Sequence, residues 1–365
     1  MEIAAAVAHR PATPVGHDIP SLDGLRAVSI AIVVLSHTRT LLPPVIANSG
    51  IFRYVIGGGL HGVQFFFVIS GYLITTLLLR EFERTGDMSL RRFYARRVLR
   101  IFPAFYVYLA AVALLWGIGV QKQDPSTFVS AATYTIIYHP RPQGWFVQHA
   151  WSLSIEEQFY LLWPAVLLLA HRRRVAARVA IVLLALMPIV RMLVLSFSEQ
   201  RAADHNRVIV NSSAIDMLMV GCLLALLSSN IRWRRWCKRW ISSWSAAGLL
   251  VLGMVLVPYA DAKLVDGPLA RLCVALGFSV TAISIGAAIE YLVRTPSSVP
   301  GRILNVGAMR HLGTISYSIY LWQQLFSEEP IHFGVLTYGL ILIAAELTFW
   351  LVERPVMRIR ARLAV

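Results

Sequence analysis

Long apolar stretches, separated by short basic segments, recur along the whole of this 365-residue chain. Ten of them are close to the roughly 20 residues that an α-helix needs to cross a bilayer. They lie at 24–43, 58–79, 99–120, 150–170, 177–198, 212–229, 243–260, 269–292, 311–327 and 333–352. Because 57% of the residues are hydrophobic and only 15% are charged, the composition is typical of an integral membrane protein. The sequence therefore predicts an all-α fold, a polytopic membrane helix bundle of about ten transmembrane helices.

The basic residues fall mainly in alternate connecting segments. With ten spans, 25 of the 34 Lys and Arg residues lie on one side of the membrane. The positive-inside rule makes that side, and with it both termini, cytoplasmic. The apolar segment 127–138 has only twelve residues, and counting it as a span would move the later basic loops outside, so we interpret it as re-entrant or interfacial. The net charge of +15 then reflects topology, and we expect no nucleic-acid partner.

The domain organisation follows from these spans. We expect a membrane domain at 21–353, between a cytoplasmic N-terminal tail at 1–20 and a basic cytoplasmic C-terminal tail at 354–365. The first segment lacks an apolar core followed by a small-residue cleavage site, so it is not expected to be a signal peptide. The three cysteines have neither paired nor metal-ligand spacing, and no metal site is predicted. We expect a multi-pass protein of the cell (inner) membrane, whose oligomeric state the sequence leaves open.

Two ionisable residues stand at the ends of the stretch "RAVSIAIVVLSH", Arg26 and His37. On a helix, eleven positions return to within about 20° of the start and rise about 16 Å, so both side chains share one face. Ionisable groups inside a membrane usually face a cavity or a polar partner, and histidine suits general-base chemistry near neutral pH. The alternative is structural: Arg26 reaches lipid headgroups and His37 bonds to another helix.

A cluster of arginines precedes the third span in "RRFYARRVLRIFP". Arg97 and Arg100 are three positions apart, so they are neighbours on a helix and are spaced to clamp phosphate groups together. At a cytoplasmic entrance, such a pair suits an anionic cofactor. A plain positive-inside anchor is an equally good interpretation of the pattern.

Other polar residues lie within apolar spans. Glu156 and Glu157, in "HAWSLSIEEQFYLLWP", are adjacent, so we expect at most one of them to face a cavity, where it would orient a histidine or bind a sugar hydroxyl. Asp216, Tyr160 and Tyr320 are further candidates for lining a polar cavity. For tyrosines in spans, interhelical packing is the favoured alternative, whereas the charge of Asp216 is harder to explain in that way.

Six strings in this order resemble the acyltransferase 3 family of multi-pass membrane O-acyltransferases. They are "LDGLRAVSIAIVVLSH", "GVQFFFVISGYLI", "RRFYARRVLRIFP", "WSLSIEEQFYLLWP", "IDMLMVGCLLA" and "ISYSIYLWQQ". The resemblance implies a bundle of about ten helices that transfers an acyl group, often acetyl, from cytoplasmic acyl-CoA to a hydroxyl. Typical acceptors are saccharides or glycolipids, such as a cell-surface polysaccharide or its precursor.

The family's functional residues match positions of this chain. The arginine and histidine separated by ten positions fall on Arg26 and His37, the paired arginines on Arg97 and Arg100, and the motif glutamate on Glu156. The resemblance implies that His37 and Glu156 are catalytic and that the three arginines bind acyl-CoA, with acetyl-CoA the first candidate. His37 would deprotonate the acceptor hydroxyl, directly or after taking the acyl group itself.

The chain departs from the family pattern at Gln64 and Gln323, where many members have an acidic residue and a histidine, so we expect no chemistry at these two positions. We also expect none of the esterase-like domain that some relatives append. A transporter or flippase of an acylated glycan is the alternative function, although no inverted repeat is visible. A catalytically silent membrane scaffold is a third possibility.

Overall fold

The computed structural model describes residues 19, 21–50, 52–56, 59–140, 142–170, 173–197, 202–263, 267–328, 331 and 333–362. Within these ranges the chain forms helices joined by short loops, without any β-strand. Apart from residue 19, the tail expected at 1–20 lies outside the described residues. The segment expected as a tail at 354–365 is helical as far as residue 362, where the description ends.

The α-helices are α1 (Leu22–His37), α2 (Pro44–Ala47), α3 (Leu60–Thr85), α4 (Leu90–Gly117), α5 (Pro125–Ala132), α6 (Trp145–Gln148), α7 (Ala150–Ala170), α8 (Arg173–Phe197), α9 (Ala202–Leu227), α10 (Ile231–Trp240), α11 (Ser243–Val251), α12 (Val257–Lys263), α13 (Pro268–Arg294), α14 (Val299–Leu304), α15 (Gly307–Thr314), α16 (Ser316–Phe326), α17 (Leu336–Thr348) and α18 (Arg354–Arg362). Three π-helical segments, Phe52–Ile56, Leu252–Leu256 and Phe349–Glu353, and two 3₁₀ turns, Arg39–Leu41 and Ile136–Tyr138, complete the set.

The membrane-crossing helices confirm an all-α polytopic bundle. Among the described residues, seven helices are long and apolar enough to cross: Leu60–Thr85, Leu90–Gly117, Trp145–Ala170, Arg173–Ser196, Ser243–Ala260, Pro268–Arg294 and Leu336–Ile359. The pair Asn211–Leu227 and Ile231–Trp240, bent by 114°, makes an eighth if it is one span. The segment expected to be re-entrant or interfacial forms α5 and a 3₁₀ turn instead of a span.

Two predicted spans, 24–43 and 311–327, correspond to shorter elements. α1 has 16 residues, so it is only about 24 Å long, less than the hydrocarbon thickness of roughly 30 Å. The second is divided at Ile315 into α15 and α16, of 8 and 11 residues. Each predicted span thus has a helical counterpart, but these two cross only part of a bilayer.

Glycines allow the central helices to approach closely. A Cβ on Gly71 of α3 would lie 2.2 Å from the carbonyl oxygen of Leu218, and one on Gly221 of α9 would lie 2.1 Å from that of Val68. Such small residues are the usual means by which membrane helices bring their backbones together. The pair fixes α3 against α9, near the residues of α3 that face the site.

Hydrogen bonds between helices then position α1, α4, α7 and α16 around α3. The backbone N–H of Ser21, just before α1, donates to Oδ1 of Asn305 over 2.9 Å. The hydroxyl of Tyr317 on α16 donates to the carbonyl of Ile101 on α4 over 3.0 Å. Trp163 Nε1 on α7 donates to the Thr75 hydroxyl on α3 over 2.8 Å.

Candidate functional site

A cavity of about 340 Å³ lies where α1, α3, α4, α7 and α16 meet. Its inner surface is mixed, with apolar side chains from α3 opposite a group of charged ones. The charged lining residues are Asp23, Arg26, Arg97, Arg100, Glu156 and Glu157. Because ionisable groups are costly inside a membrane, so dense a cluster in one cavity indicates a polar ligand.

The three arginines expected to bind a cofactor all line this cavity. Arg97 and Arg100 lie about one turn apart on α4, and Arg26 on α1 is close enough to Arg100 for the two charges to repel each other. The Arg97 guanidinium lies over the Tyr160 ring, 5.0 Å from its centroid, and Arg26 is 3.8 Å from a carboxylate oxygen of Asp23. Three guanidinium groups from two helices thus lie together in one cavity, beside the carboxylates of the same lining.

Both adjacent glutamates line the cavity, which corrects the expectation that at most one would do so. Neighbouring positions on a helix point about 100° apart, and the cavity extends far enough around α7 to reach both side chains. Glu156 accepts hydrogen bonds from Ser70 at 2.8 Å and from the Tyr160 hydroxyl at 3.2 Å. Glu157 lies close enough to Arg97 to interact with it electrostatically. Tyr160 lines the cavity, as expected.

His37 lies at the other end of α1 and is not among the residues that line the cavity. Its ring contacts the Trp145 ring edge-on, with the centroids 5.4 Å apart. Glu156 interacts with Arg26, about 16 Å along α1 from His37, so the structure puts it beside the arginines and not beside a histidine, which was one of the two partners expected for it.

Two other polar residues occupy the surroundings of His37. The Gln323 amide on α16 lies beside the imidazole, and His149, between α6 and α7, is close enough for the two rings to interact electrostatically. The sequence offered a signal for His149, since it lies in the same string as Glu156, three residues before Ser152. Gln323 departs from the family pattern, so the motif provides no signal for it.

Tyr320 and Ser152 line the cavity on the side towards this second group. Their hydroxyl oxygens are 2.6 Å apart, and each donates to the carbonyl of His149, Tyr320 over 3.0 Å and Ser152 over 3.1 Å. The Tyr320 ring also contacts the His149 ring, with the centroids 5.3 Å apart. Tyr320 therefore has its expected place in the cavity, and with Ser152 it forms the wall between the charged cavity and the histidines.

Asp216 lies outside the cavity, so the expectation that it lines the same polar space is not met. Its carboxylate is fully buried and pairs with Arg191 of α8 over 2.6 Å. Ser279 of α13 donates to the same carboxylate oxygen over 2.6 Å, and Arg191 also donates to the Ala275 carbonyl over 2.8 Å. The aspartate is thus held in a buried ion pair that joins α8, α9 and α13.

Comparison with known proteins points to the same family as the six sequence strings. A family model described as an acyltransferase domain matches residues 19–352. A candidate peptidoglycan O-acetyltransferase of Bacillus subtilis strain 168, YrhL, is 30% identical over an alignment of 378 residues, which covers 93% of this chain and 55% of YrhL. The O-acetyltransferase OatA of Staphylococcus aureus strain NCTC 8325 is 27% identical over an alignment of 381 residues, which covers 93% of this chain and 57% of OatA. The chain spans a little over half the length of these curated relatives, and no solved structure matches it.

Proposed function

Because the chain belongs to the acyltransferase 3 family, we propose that it is a membrane O-acyltransferase that moves an acyl group from acyl-CoA to a saccharide hydroxyl. The observation that carries this proposal is the convergence of three arginines in one cavity next to the histidines. Tyr320, which lines the cavity, donates a hydrogen bond to the backbone of His149, and His149 lies beside His37. The names of the two relatives favour acetyl as the group transferred and a cell-wall saccharide as the acceptor.

The arginine cavity is the proposed donor site. Guanidinium groups bind phosphate oxygens with two parallel hydrogen bonds, so Arg26, Arg97 and Arg100 suit the phosphate groups of acyl-CoA. Beyond them, apolar side chains such as Phe66 and Leu73 line the space, which fits the less polar arm that carries the thioester. The positive-inside rule makes the arginine side cytoplasmic, the side from which acyl-CoA is supplied, in the cell (inner) membrane.

His37 is the proposed general base. Its imidazole takes the proton of the acceptor hydroxyl as the oxygen attacks the thioester carbonyl. The new C–O bond forms, the C–S bond breaks, and the departing CoA thiolate takes the proton back from the imidazolium. A route through an acylated His37 balances in the same way, with the imidazole nitrogen as the first nucleophile.

Glu156 acts within the donor site in this proposal. Its carboxylate is held by Ser70 and Tyr160 and lies close to Arg26 and Arg97. It therefore limits the repulsion between the arginines and fixes their side chains before the donor binds. This role replaces the direct action on His37 that the sequence suggested.

The test is an acyl-transfer assay on the purified full chain in detergent, with radiolabelled acetyl-CoA and soluble saccharides. We expect transfer by the unaltered protein and a loss of about 10²- to 10⁴-fold in His37→Ala, the usual contribution of a general base. His61→Ala is the matched control, because His61 bonds to Gln64 and the Tyr54 carbonyl, away from the cavity. Full activity of folded His37→Ala would contradict the proposal.

The same preparation separates an enzyme from a transporter. In sealed vesicles without acyl-CoA, we expect no saccharide flux beyond that of empty vesicles. Flux without the donor, combined with no acyl transfer in detergent, would favour a flippase of an acylated glycan over the enzyme.

A further inference from the structure

Four buried polar atoms around His37 form no hydrogen bond of ordinary length and angle with any described residue, and the Gln323 side chain and Val33 backbone make only weak contacts with the imidazole. The four atoms are Nδ1 of His37, Nδ1 and Nε2 of His149, and Oε1 of Gln323. His149 is only 4% exposed and Gln323 is fully buried. Buried polar groups nearly always have partners, so four unpaired atoms in one place require an explanation.

The three side chains belong to three different helical segments. His37 ends α1, His149 follows α6, and Gln323 lies on α16. The Gln323 side chain and the His149 ring each lie close enough to the His37 imidazole to interact with it. The unpaired atoms therefore cluster around His37 and are not scattered defects of packing.

We propose that His37, His149 and Gln323 form the subsite for the acceptor, with His149 and Gln323 binding hydroxyl groups next to the one that His37 deprotonates. This inference rests on the proposed acyl transfer. It assigns binding roles to two residues that the donor site does not use.

The hydrogen-bonding capacity of the three side chains fits a polyhydroxylated ligand. A neutral imidazole has one donor and one acceptor nitrogen, and the Gln323 oxygen is an acceptor. A hydroxyl both donates and accepts, so neighbouring hydroxyls of one sugar ring can satisfy several of these atoms together. Aromatic rings surround the space, since Tyr108 and Tyr320 contact His149 edge-on at 5.2 and 5.3 Å. Such rings are suited to packing against the C–H groups of a sugar.

The position of His149 also connects the subsite to the donor. Its backbone carbonyl accepts hydrogen bonds from Ser152 and Tyr320, which form the inner wall of the arginine cavity. A sugar bound between the two histidines therefore lies directly behind that wall. This places acceptor and donor at opposite sides of the transfer point, with His37 on the acceptor side.

The experiment compares acceptor KM and acyl-CoA KM in His149→Leu and Gln323→Leu. As probes, the acceptors are pentasaccharides of glucose, mannose and N-acetylglucosamine, and the first one that the unaltered protein acylates is used. We expect each variant to raise acceptor KM by about tenfold or more, the effect of losing a buried hydrogen bond, with acyl-CoA KM within about twofold. His149→Asn, which keeps a donor and an acceptor, should recover part of the affinity.

A purely structural role predicts a different pattern. Both ring nitrogens of His149 are unpaired, so His149→Leu should keep the thermal stability of the unaltered protein in detergent, and the control His61→Leu should keep acceptor KM. Gln323→Leu also removes the hydrogen bond that the Gln323 amide donates to Gln324 over 3.2 Å, so the stability comparison is made on His149→Leu. Loss of stability with unchanged acceptor KM would overturn the inference. So would acetyl-CoA hydrolysis by the unaltered protein without acylation of any pentasaccharide. If the protein neither hydrolyses nor transfers from acetyl-CoA, the proposed function itself fails.

Discussion

Arg97 and Arg100 lie beside a third arginine in one cavity, whereas Arg96, their neighbour in sequence, points away from it. The Arg96 guanidinium pairs with Glu81 over 2.7 Å, so the chain supplies its own control for charge removal. We expect Arg97→Gln and Arg100→Gln each to raise acyl-CoA KM about tenfold or more, because each loses a charge-assisted bond worth about 1.5–3 kcal/mol. Arg96→Gln should leave it within about twofold. Steady-state kinetics at saturating acceptor measures these values.

Arg97→Lys separates geometry from charge at the same position. A lysine keeps the positive charge but loses the planar fork that binds two phosphate oxygens, so acyl-CoA KM should lie between that of the unaltered protein and that of Arg97→Gln. Equal KM values in Arg96→Gln and Arg97→Gln would mean that this charge serves only topology.

Asp216 provides a residue-scale prediction of stability. Within the described residues, its fully buried carboxylate forms an ion pair with Arg191 alone. Asp216→Asn should destabilise the bundle by about 3–5 kcal/mol, since it leaves Arg191 charged and without a counter-ion. The double variant Asp216→Leu with Arg191→Met should recover much of this loss. Thermal unfolding in detergent measures both, and equal stability of the single and double variants would contradict the ion-pair explanation.

At the scale of whole elements, the contact of α3 with α9 depends on two glycines. A Cβ at Gly71 or Gly221 would lie 2.2 or 2.1 Å from a backbone oxygen, so the helices must separate to accept one. We expect Gly71→Val and Gly221→Val to lower the yield of folded protein and, since Ser70 adjoins Gly71, to reduce transfer by what remains. Gly248→Ala is the control, because no atom lies within 4 Å of the added Cβ. Fluorescence-detected size-exclusion chromatography after heating shows the difference.

The elements also show what the sequence could predict. Apolar length located a helix for every predicted span, and the family resemblance assigned Arg26, Arg97 and Arg100 to one ligand, in agreement with their position in one cavity. Length alone could not show that α1 stops at His37, because the predicted span continues to residue 43 while the backbone turns at Thr38 into a 3₁₀ turn. Nor could it identify the partner of Asp216, since Arg191 is 25 positions away along the chain.

His149 and Gln323 illustrate the same limit at the site. Neither has a charged neighbour in sequence, and their importance arises only because α1, α6 and α16 meet. The motif that contains Glu156 leaves its partner open between a histidine and a sugar hydroxyl, because a sequence pattern gives no distance between helices. Only the folded chain shows that it faces the arginines and not His37.

The function of the whole molecule depends on which side of the membrane the arginine cavity faces, and α4 allows a direct test. This helix has 28 residues, about 42 Å, so residues just beyond its two ends must lie on opposite sides. Asp87 and Lys122 are exposed and lie just before and after it.

In a background with Cys222, Cys237 and Cys273 replaced by alanine, Asp87→Cys and Lys122→Cys are labelled with a membrane-impermeant maleimide. The positive-inside rule predicts that Lys122→Cys is labelled in right-side-out vesicles and Asp87→Cys only after permeabilisation. The reverse pattern would place Arg97 and Arg100, which lie within about three turns of the start of α4, on the outer side. Acyl-CoA made in the cytoplasm would then have no route to them, and the donor site proposed here would be excluded even if the acceptor subsite around His37 were correct.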